Sequence, residues 1–293
     1  MTITDPIPGA VQAAIARGAS AVRAAVEAGG AVVITAGAGM GVDSGLPDFR
    51  GPEGFWNAYP AYRHLGLNFM DLADPRWFAE DPALAWGFYG HRLHLYRDTR
   101  PHDGFGALLT LARRAASHVV FTSNVDGAFQ RAGFADDVVC ACHGDIHTLQ
   151  CTTHEHGFWP ANDVTVAVDP VTFRAAAPFP VCVRCEALAR PNILMFGDWG
   201  YQSARTDKAE ERLAETLADV DSGLPHVIIE SGAGTAIPSV RRFGEGLLRR
   251  WPRAQLVRIN LREPQADDPR VAARVTGVSS GARAALLSMA DQW

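Results

Sequence analysis

The stretch AVVITAGAGMGVDSGLPDFRG, from Ala31 to Gly51, decides how this chain folds. It opens with a short β-branched run that lacks polar alternation, which predicts a strand buried on both faces over Ala31–Thr35. The run leads directly into a glycine loop, as the first strand of a dinucleotide-binding unit does. The G-x-G-x-x-G fingerprint needs its third glycine at position 42, which is Val42 here. The stretch therefore predicts a nucleotide-binding loop that departs from that fingerprint, and a tight turn that needs a positive φ is the alternative.

Similar short apolar runs recur along the chain, and patterns with helical spacing separate them. Strands that alternate with helices predict an α/β fold with a Rossmann-like parallel sheet and helices on both faces. The predicted strands after the first are His118–Thr122, Val138–Ala141, Val227–Ile229 and Leu256–Ile259. The predicted helices are Ala10–Ala28, His102–Ala115, Asp207–Ala218 and Val240–Arg250.

Two regions interrupt this alternation and have the character of insertions. Gly54–Arg100 is rich in aromatic residues, and Cys151–Arg190 is a proline-containing stretch bounded by cysteines. We therefore predict a Rossmann-like domain made of residues 1–53, 101–145 and 191–293. Residues 54–100 and 146–190 would form a smaller domain.

Composition excludes several classes of function. The chain has 293 residues, of which 47% are apolar and 20% charged, as in ordinary globular proteins. Its net charge of −5 provides no basic field for nucleic acid or an anionic membrane. The sequence MTITDPIPGAVQ lacks the basic start and apolar run of a signal peptide, and no stretch is long enough to span a bilayer. We expect a cytoplasmic protein without nucleic-acid or membrane partners.

The cysteines point to a metal site. Their number is odd, five, which argues against a disulfide framework. Cys182 and Cys185 form a C-x-x-C pair, and Cys151 and His154 have the same spacing further upstream. Two such pairs supply what tetrahedral Zn²⁺ requires, so these four residues are the predicted ligands of a structural zinc. His156 is the rival fourth ligand, and buried or redox-active cysteines are the alternative.

Four further segments follow the glycine loop in order. They are FTSNVDGAFQRAG (121–133), CHGDIHTLQC (142–151), RPNILMFGDWG (190–200) and ESGAGTAIPSV (230–240). In this order the chain resembles the sirtuins, the NAD-consuming protein-lysine deacylases, from about Ala31 to Val278. The resemblance implies that NAD is a co-substrate, that acylated lysines of proteins are the partners, and that O-acyl-ADP-ribose and nicotinamide are products.

The resemblance also implies which residues bind the cofactor. The segment at positions 48–50 would be a cofactor loop, and the segment at 123–126 would line the nicotinamide pocket. Turn residues would look much the same without a ligand, so a purely structural role is the alternative for the residues near the C-terminus. The implied cofactor-binding residues are Gly37, Ala38, Gly39, Asp48, Phe49, Arg50, Ser123, Asn124, Asp126, His143, Gly232, Ala233, Gly234, Asn260 and Val278.

Three of these residues are the candidate catalytic groups. His143 follows a predicted strand, and an imidazole titrates near neutral pH, so it can accept a proton from a ribose hydroxyl. Asn124 and Asp126 offer the donors and acceptors that a carboxamide needs. The alternative is that they form the turn before a helix, with Asp126 as its cap.

The pair Tyr89 and Arg92 is the candidate substrate site. The two residues are three apart in FYGHRLHLYR and therefore lie on one helical face. Their spacing resembles the Y-x-x-R pair of sirtuins that remove malonyl and succinyl groups, where arginine binds the distal carboxylate. Two neighbours on a helix surface without such a role are the alternative.

Departures from the family pattern leave other functions open. Ser123 stands where many sirtuins have glutamine, and Gly41 replaces a common serine. ADP-ribosyl transfer or NAD hydrolysis on the same scaffold is therefore the second hypothesis. An inactive protein that senses NAD or binds a partner is the third.

Overall fold

Six parallel strands form the larger sheet of the computed structural model, which describes residues 8–47 and 52–292, with the backbone alone for 52–54. The strand order is β3-β2-β1-β7-β8-β9. Because the order reverses beside β1, the loops that follow β1, β2 and β7 leave the sheet at a topological switch point, where α/β sheets bind ligands. The strands are β1 (Ala31–Ala36), β2 (Ser117–Thr122), β3 (Val139–Ala141), β7 (Val227–Ser231), β8 (Gln255–Ile259) and β9 (Val275–Val278).

Helices cover both faces of this sheet. Val32 and Ile34 of β1 belong to the core of one face, whereas Val33 belongs to the core of the other. This double burial explains why the strand reads as a continuous apolar run. One face packs on α1 (Gly9–Glu27), α7 (Asp103–Ala112), α8 (Ala128–Arg131) and α11 (Ala282–Ala290), and the other on α9 (Ala204–Ala218) and α10 (Ser239–Arg250).

A second core, rich in aromatic rings, lies beside the sheet. It joins an antiparallel sheet of order β5-β4-β6 to a set of helices. These strands are β4 (Gly144–Cys151), β5 (Phe158–Pro160) and β6 (Ala189–Ile193). The helices are α2 (Pro52–Ala58), α3 (Pro60–His64), α4 (Phe69–Leu72), α5 (Trp77–Glu80) and α6 (Pro82–Asp98). Among the described residues, three short 3-10 helices lie at Ala38–Ser44, Asp136–Val138 and Ala272–Arg274.

The predicted fold class is confirmed. Each predicted strand and helix is present, with ends shifted by up to three residues. Sequence reasoning missed β9, α11 and the small antiparallel sheet. The strands of the larger sheet lie within 31–141 and 227–278 and those of the smaller within 144–193, while the domain boundaries themselves stay a prediction. In the part of the chain that the structure describes, no helix is long and apolar enough to cross a membrane.

Candidate active site

The loops at the carboxyl edge of the larger sheet hold one another by backbone hydrogen bonds. Gly37 N donates to Ser231 O at 3.0 Å, which joins the loop after β1 to the end of β7. Ser123 N donates to Ala36 O at 3.1 Å, and Cys142 N donates to Thr122 O at 2.9 Å. The segments that carry the predicted site residues are therefore fixed side by side.

Glycines permit this close approach. A Cβ on Gly37 would lie 2.7 Å from Gly232 O, and a Cβ on Gly39 would lie 2.8 Å from the Cα of Gly232. Gly232 has a φ of 65°, and a Cβ there would lie 2.2 Å from Met40 N. Gly37 has a φ of −114°, which residues with a side chain also adopt. Glycine is needed at this position because a Cβ has no room there, and not because the backbone is left-handed. The glycine loop thus packs on a second glycine loop.

A cavity of about 410 Å³ opens beside these two loops. Ligand pockets commonly fall in the range of roughly 300–1,000 Å³. Of the predicted cofactor residues, it is lined by Ala38, Gly39, Gly232, Gly234 and Asn260. Polar backbone at a glycine-rich edge, with the half-buried Asn260 beside it, suits a nucleotide.

Two further predicted cofactor residues lie behind this wall. Ala233 is 2% exposed and Val278 is fully buried. Asn260 Nδ2 donates to Ala233 O at 2.9 Å, and Asn260 N donates to Val278 O at 3.0 Å. Ala233 and Val278 therefore hold Asn260 in place and do not line the cavity. Gly37 does not line the cavity either.

A second cavity, of about 220 Å³, adjoins the first through shared lining residues Ala38 and Ile237. It brings the three candidate catalytic groups and the candidate substrate pair together. The predicted residues that line it are Ala38, Tyr89, Arg92, Ser123, Asn124, Asp126 and His143. Asp48, Phe49 and Arg50 lie outside the described residues.

His143 lies where the chain passes from the larger sheet to the smaller one. It follows β3, and its carbonyl accepts a hydrogen bond from Leu194 N at 2.9 Å. The next residue, Gly144, has a φ of 84°, and a Cβ there would lie 2.1 Å from Asn192 O. Glycine therefore lets β4 approach β6 immediately after His143, which fixes the backbone of the candidate base.

Asn124 and Asp126 have structural partners and also face the cavity. Asn124 Nδ2 donates to Gly37 O at 2.9 Å, which ties the loop after β2 to the glycine loop. Asp126 Oδ1 accepts from Ala128 N at 2.8 Å and thus stabilises the turn before α8. The N-cap of α8 is Gly127, so the alternative that Asp126 is the cap itself is wrong. Burial raises the pKa of the Asp126 carboxyl. The structure accommodates both interpretations of these residues, as turn formers and as cavity-lining polar groups.

Arg92 carries a buried positive charge in the wall of the same cavity. It is 5% exposed, and its Nε and Nη2 donate to the Tyr96 hydroxyl at 3.1 and 2.8 Å. The Tyr89 hydroxyl has no hydrogen-bond partner among the described residues, and burial raises the pKa of Tyr89 to about 12, so it stays a donor. Sequence reasoning missed Tyr96, although it lies four residues after Arg92 on the same helical face.

The metal cluster contains a different histidine from the predicted one. The ligand atoms of Cys151, His156, Cys182 and Cys185 all lie within 4.8 Å of one another. His154 is exposed and outside this cluster, so its assignment as fourth ligand is wrong. The reason is a turn in which His156 N donates to His154 O at 2.9 Å, which brings the later histidine toward the cysteines.

The spacing of these atoms fits zinc. Tetrahedral bonds of about 2.3 Å to sulfur and 2.0 Å to nitrogen place two sulfurs about 3.8 Å apart, and a sulfur and a nitrogen about 3.5 Å apart. Cys151 Sγ and Cys185 Sγ are 3.7 Å apart, and His156 Nδ1 is 3.3 Å from Cys182 Sγ. Four protein ligands leave no position for water, which is the pattern of a structural site.

Comparison with known proteins identifies the family. The model of the Sir2 family matches residues 37–220, more than half of the chain. The chain belongs to the Sir2 family. This sirtuin is 33% identical over 183 residues to the NAD-dependent protein deacylase sirtuin-5, mitochondrial, of Danio rerio, a match that covers 57% of each chain.

Other relatives extend the match. An NAD-dependent protein deacylase of Pyrococcus abyssi is 31% identical over 210 residues, which cover 69% of this sirtuin and 78% of that protein. A solved Sir2 homolog–NAD complex shares the fold with a TM-score of 0.65 at 23% identity, over 89% of this chain and 88% of the other. The chain spans less than two thirds of the length of the first relatives that it matches, from 57% to 60% of each relative.

Proposed function

We propose that this sirtuin is an NAD-dependent protein-lysine deacylase that favours acyl groups ending in a carboxylate. One observation carries the proposal: a single cavity holds His143, Asn124 and Asp126 together with the buried guanidinium of Arg92. The names of the relatives, deacylases that include a sirtuin-5, support the same class of reaction.

NAD, when bound, supplies the ribose that accepts the acyl group as nicotinamide leaves. In the reaction that we propose, Asn124 and Asp126 bind the carboxamide of the nicotinamide, for which their donors and acceptors are suited. His143 takes the proton of a ribose hydroxyl, which frees that oxygen to bond to the acyl carbon. The acyl group passes from lysine nitrogen to ribose oxygen and water supplies the remaining oxygen, so the products are free lysine, nicotinamide and O-acyl-ADP-ribose.

Arg92 and Tyr89 would bind the far end of the acyl group. A guanidinium binds a carboxylate through two parallel hydrogen bonds, and such charge-assisted bonds are about twice as strong as neutral ones. The Tyr89 hydroxyl, buried and protonated, adds a donor on the same wall. An acetyl group has no distal carboxylate for either residue to bind, so the pair would favour longer acidic groups.

The experiment is a panel of peptides with acetyl-, malonyl- and succinyl-lysine, incubated with NAD and followed by mass spectrometry. We expect acidic acyl groups to be removed faster than acetyl. Arg92→Ala should lower kcat/KM on the best acidic peptide more than tenfold, since losing one partner of a desolvated charge pair costs roughly 2–5 kcal/mol. The same variant should change acetyl turnover by less than about threefold, because no carboxylate is left unpaired.

His143→Ala is the control for the chemistry. It should abolish turnover of every peptide while NAD still binds, because the base acts on the reaction and not on docking. ADP-ribosylated protein, or NAD loss without deacylated peptide, would favour the second hypothesis, and intact NAD would favour an inactive binding protein. Preference for acetyl-lysine with equal losses in Arg92→Ala would contradict the acidic-acyl assignment.

A further inference from the structure

A further cavity, of about 660 Å³, shares no lining residue of the described chain with the two cavities above. Among the described residues that line it are five cationic side chains but only two carboxylates. The cations are Arg97, Arg131, Arg205, Lys208 and Arg212, and the cavity that they line is called the basic groove below. The whole chain has a net charge of −5, so this positive excess is local to the groove.

The cations of the basic groove come from three helices. Arg205, Lys208 and Arg212 lie on α9 at spacings of three and four residues, which place them on one face of that helix. Arg131 is the last residue of α8, and Arg97 lies in the last turn of α6. Donors that converge from several helices suit a phosphate, because its terminal oxygens point in several directions, whereas the two oxygens of a carboxylate share one plane.

The carboxylates of the protein leave most of this charge unpaired. Arg205 Nη2 lies 3.7 Å from Asp145 Oδ2, which is too long for a hydrogen bond. The Asp145 carboxylate already accepts from His147 N and from the Thr148 hydroxyl, both at 2.9 Å. Among the described residues, the other four cations of the groove form no ion pair with a carboxylate.

Two of the guanidinium groups are half-buried. The Nε atom of Arg212 is buried and has no hydrogen-bond partner among the described residues. Burial also lowers the pKa of Arg97, because its charged form loses hydration. A buried donor without an acceptor is costly, and an anion in the groove would supply the missing acceptor.

The basic groove lies against the segments that carry two candidate catalytic residues. Asp126 and His143 line the active-site cavity, and the residues that follow them, Gly127 and Gly144, line the groove. His147 also lines the groove, and its Nε2 donates to Asp126 O at 3.0 Å. An occupant of the groove would therefore contact these segments without entering the active site.

We propose that the basic groove is a second ligand site, which binds small phosphate-bearing molecules with two or more negative charges. The excess of cations over carboxylates matches more than one negative charge. A volume of about 660 Å³ also leaves room for an organic part beside the phosphate. The site does not depend on the proposed deacylase function, since an inactive binding protein could hold the same ligand.

Lys208 can report on the occupancy of the groove, because it is the one lysine in the sequence. Acetic anhydride acetylates lysine amines, and mass spectrometry of the peptide that contains Lys208 gives the rate of labelling. Labelling would be followed at about 0.15 M NaCl with increasing inorganic pyrophosphate, and a reference with added NaCl would match the ionic strength. We expect pyrophosphate to slow labelling at least about fivefold, with half of the effect below about 1 mM, and NaCl to have little effect.

Three substitutions that each remove one positive charge test the location. Arg212→Gln should raise the half-protecting concentration of pyrophosphate about tenfold, the scale of one charge-assisted hydrogen bond. Arg205→Gln should raise it at least about threefold, and its side chain is 42% exposed, so this variant should fold even if Arg212→Gln does not. Arg250→Gln is the matched control, because Arg250 is exposed on α10 and outside the groove. It should stay within about twofold of the wild type.

The outcomes are distinct. Protection that weakens in Arg212→Gln and Arg205→Gln but not in Arg250→Gln supports the site. No protection in the wild type, or the same protection in Arg205→Gln as in Arg250→Gln, overturns it. Malonate, a dicarboxylate, should protect at least about fivefold more weakly than pyrophosphate, and equal protection would overturn the assignment to phosphate. None of these measurements involves turnover, so their failure would leave the proposed deacylase function untouched.

Discussion

The two histidines of the metal loop give a matched pair of substitutions. In His156→Ala the cluster loses the nitrogen that lies 3.3 Å from Cys182 Sγ, and three thiolates remain. His154→Ala removes an exposed ring that lies outside the cluster and contacts the His156 ring, with ring centres 5.0 Å apart. The first change should therefore cost zinc, and the second should not.

The loss of stability expected in His156→Ala follows from the linkage between metal binding and folding. Substitution of residues that merely support metal ligands typically costs 10–100-fold in affinity, so loss of a ligand should cost at least about 100-fold. When zinc is in excess, that factor equals about 2.7 kcal/mol of the free energy of unfolding. A domain of this size loses about 2–4 °C of melting temperature per kcal/mol, which gives a drop of roughly 5–10 °C.

The assay is the zinc content of the purified protein together with thermal melting. Wild type and His154→Ala should each retain about one zinc per chain and melt at similar temperatures. His156→Ala should release zinc to a chelator and melt earlier, whereas His156→Cys should restore retention because a thiolate replaces the imidazole. Loss of zinc from His154→Ala, with retention in His156→Ala, would refute the assignment.

Two further predictions concern stability. Arg258→Met should lower the free energy of unfolding in urea by about 3–5 kcal/mol, because it leaves the fully buried Glu230 carboxylate without its ion pair. Arg270→Met is the control: Arg270 is the exposed partner of Asp268, and its loss should change stability little. The second prediction concerns His102, whose pKa burial lowers from its usual 6.5. The folded state therefore holds this ring neutral, so its contribution to stability is complete above about pH 6.5 and is lost as the pH falls below that value. Urea midpoints measured from pH 8 to pH 5.5 should fall less steeply in His102→Gln than in wild type, and equal slopes would contradict the prediction.

Sequence reasoning succeeded where a single physical requirement governs the residues. The strand Ala31–Ala36 is buried on both faces, so its β-branched run could be recognised without its neighbours. The strand Val275–Val278 is mostly half-buried and short, and its VTGV sequence carries no such run. Gly144–Cys151 mixes polar and apolar residues around a register irregularity between Asp145 and Leu149, which hides its strand periodicity.

Sequence motifs predicted those site residues that a motif contains. They could not predict contacts that depend on the register of two strands or on the path of the chain through a turn. The sequence alone assigns no role to Glu230 or Arg258. The structure shows that they are partners in the register of two adjacent strands and are buried as a pair. The C-x-x-H spacing selected His154, whereas a turn brings His156 to the cysteines. The contact between Tyr96 and Arg92 could be predicted only by knowing that Arg92 is buried, and the helical pattern alone does not show this.

The eight residues of β4 connect two sites of different kinds. His143 immediately precedes the strand and Cys151 ends it, so at about 3.3 Å per residue the candidate base and the first metal ligand are separated by roughly 25 Å of extended chain. Inserting or deleting one residue between them would reverse the side of the sheet that every later side chain faces, and the thiol could then no longer meet its partners. The register irregularity between Asp145 and Leu149 is the point in β4 where pairing is already interrupted. Within β4, we therefore expect a change in length to be tolerated only at that irregularity, where a bulge can take up an extra residue and keep the later side chains on their original face.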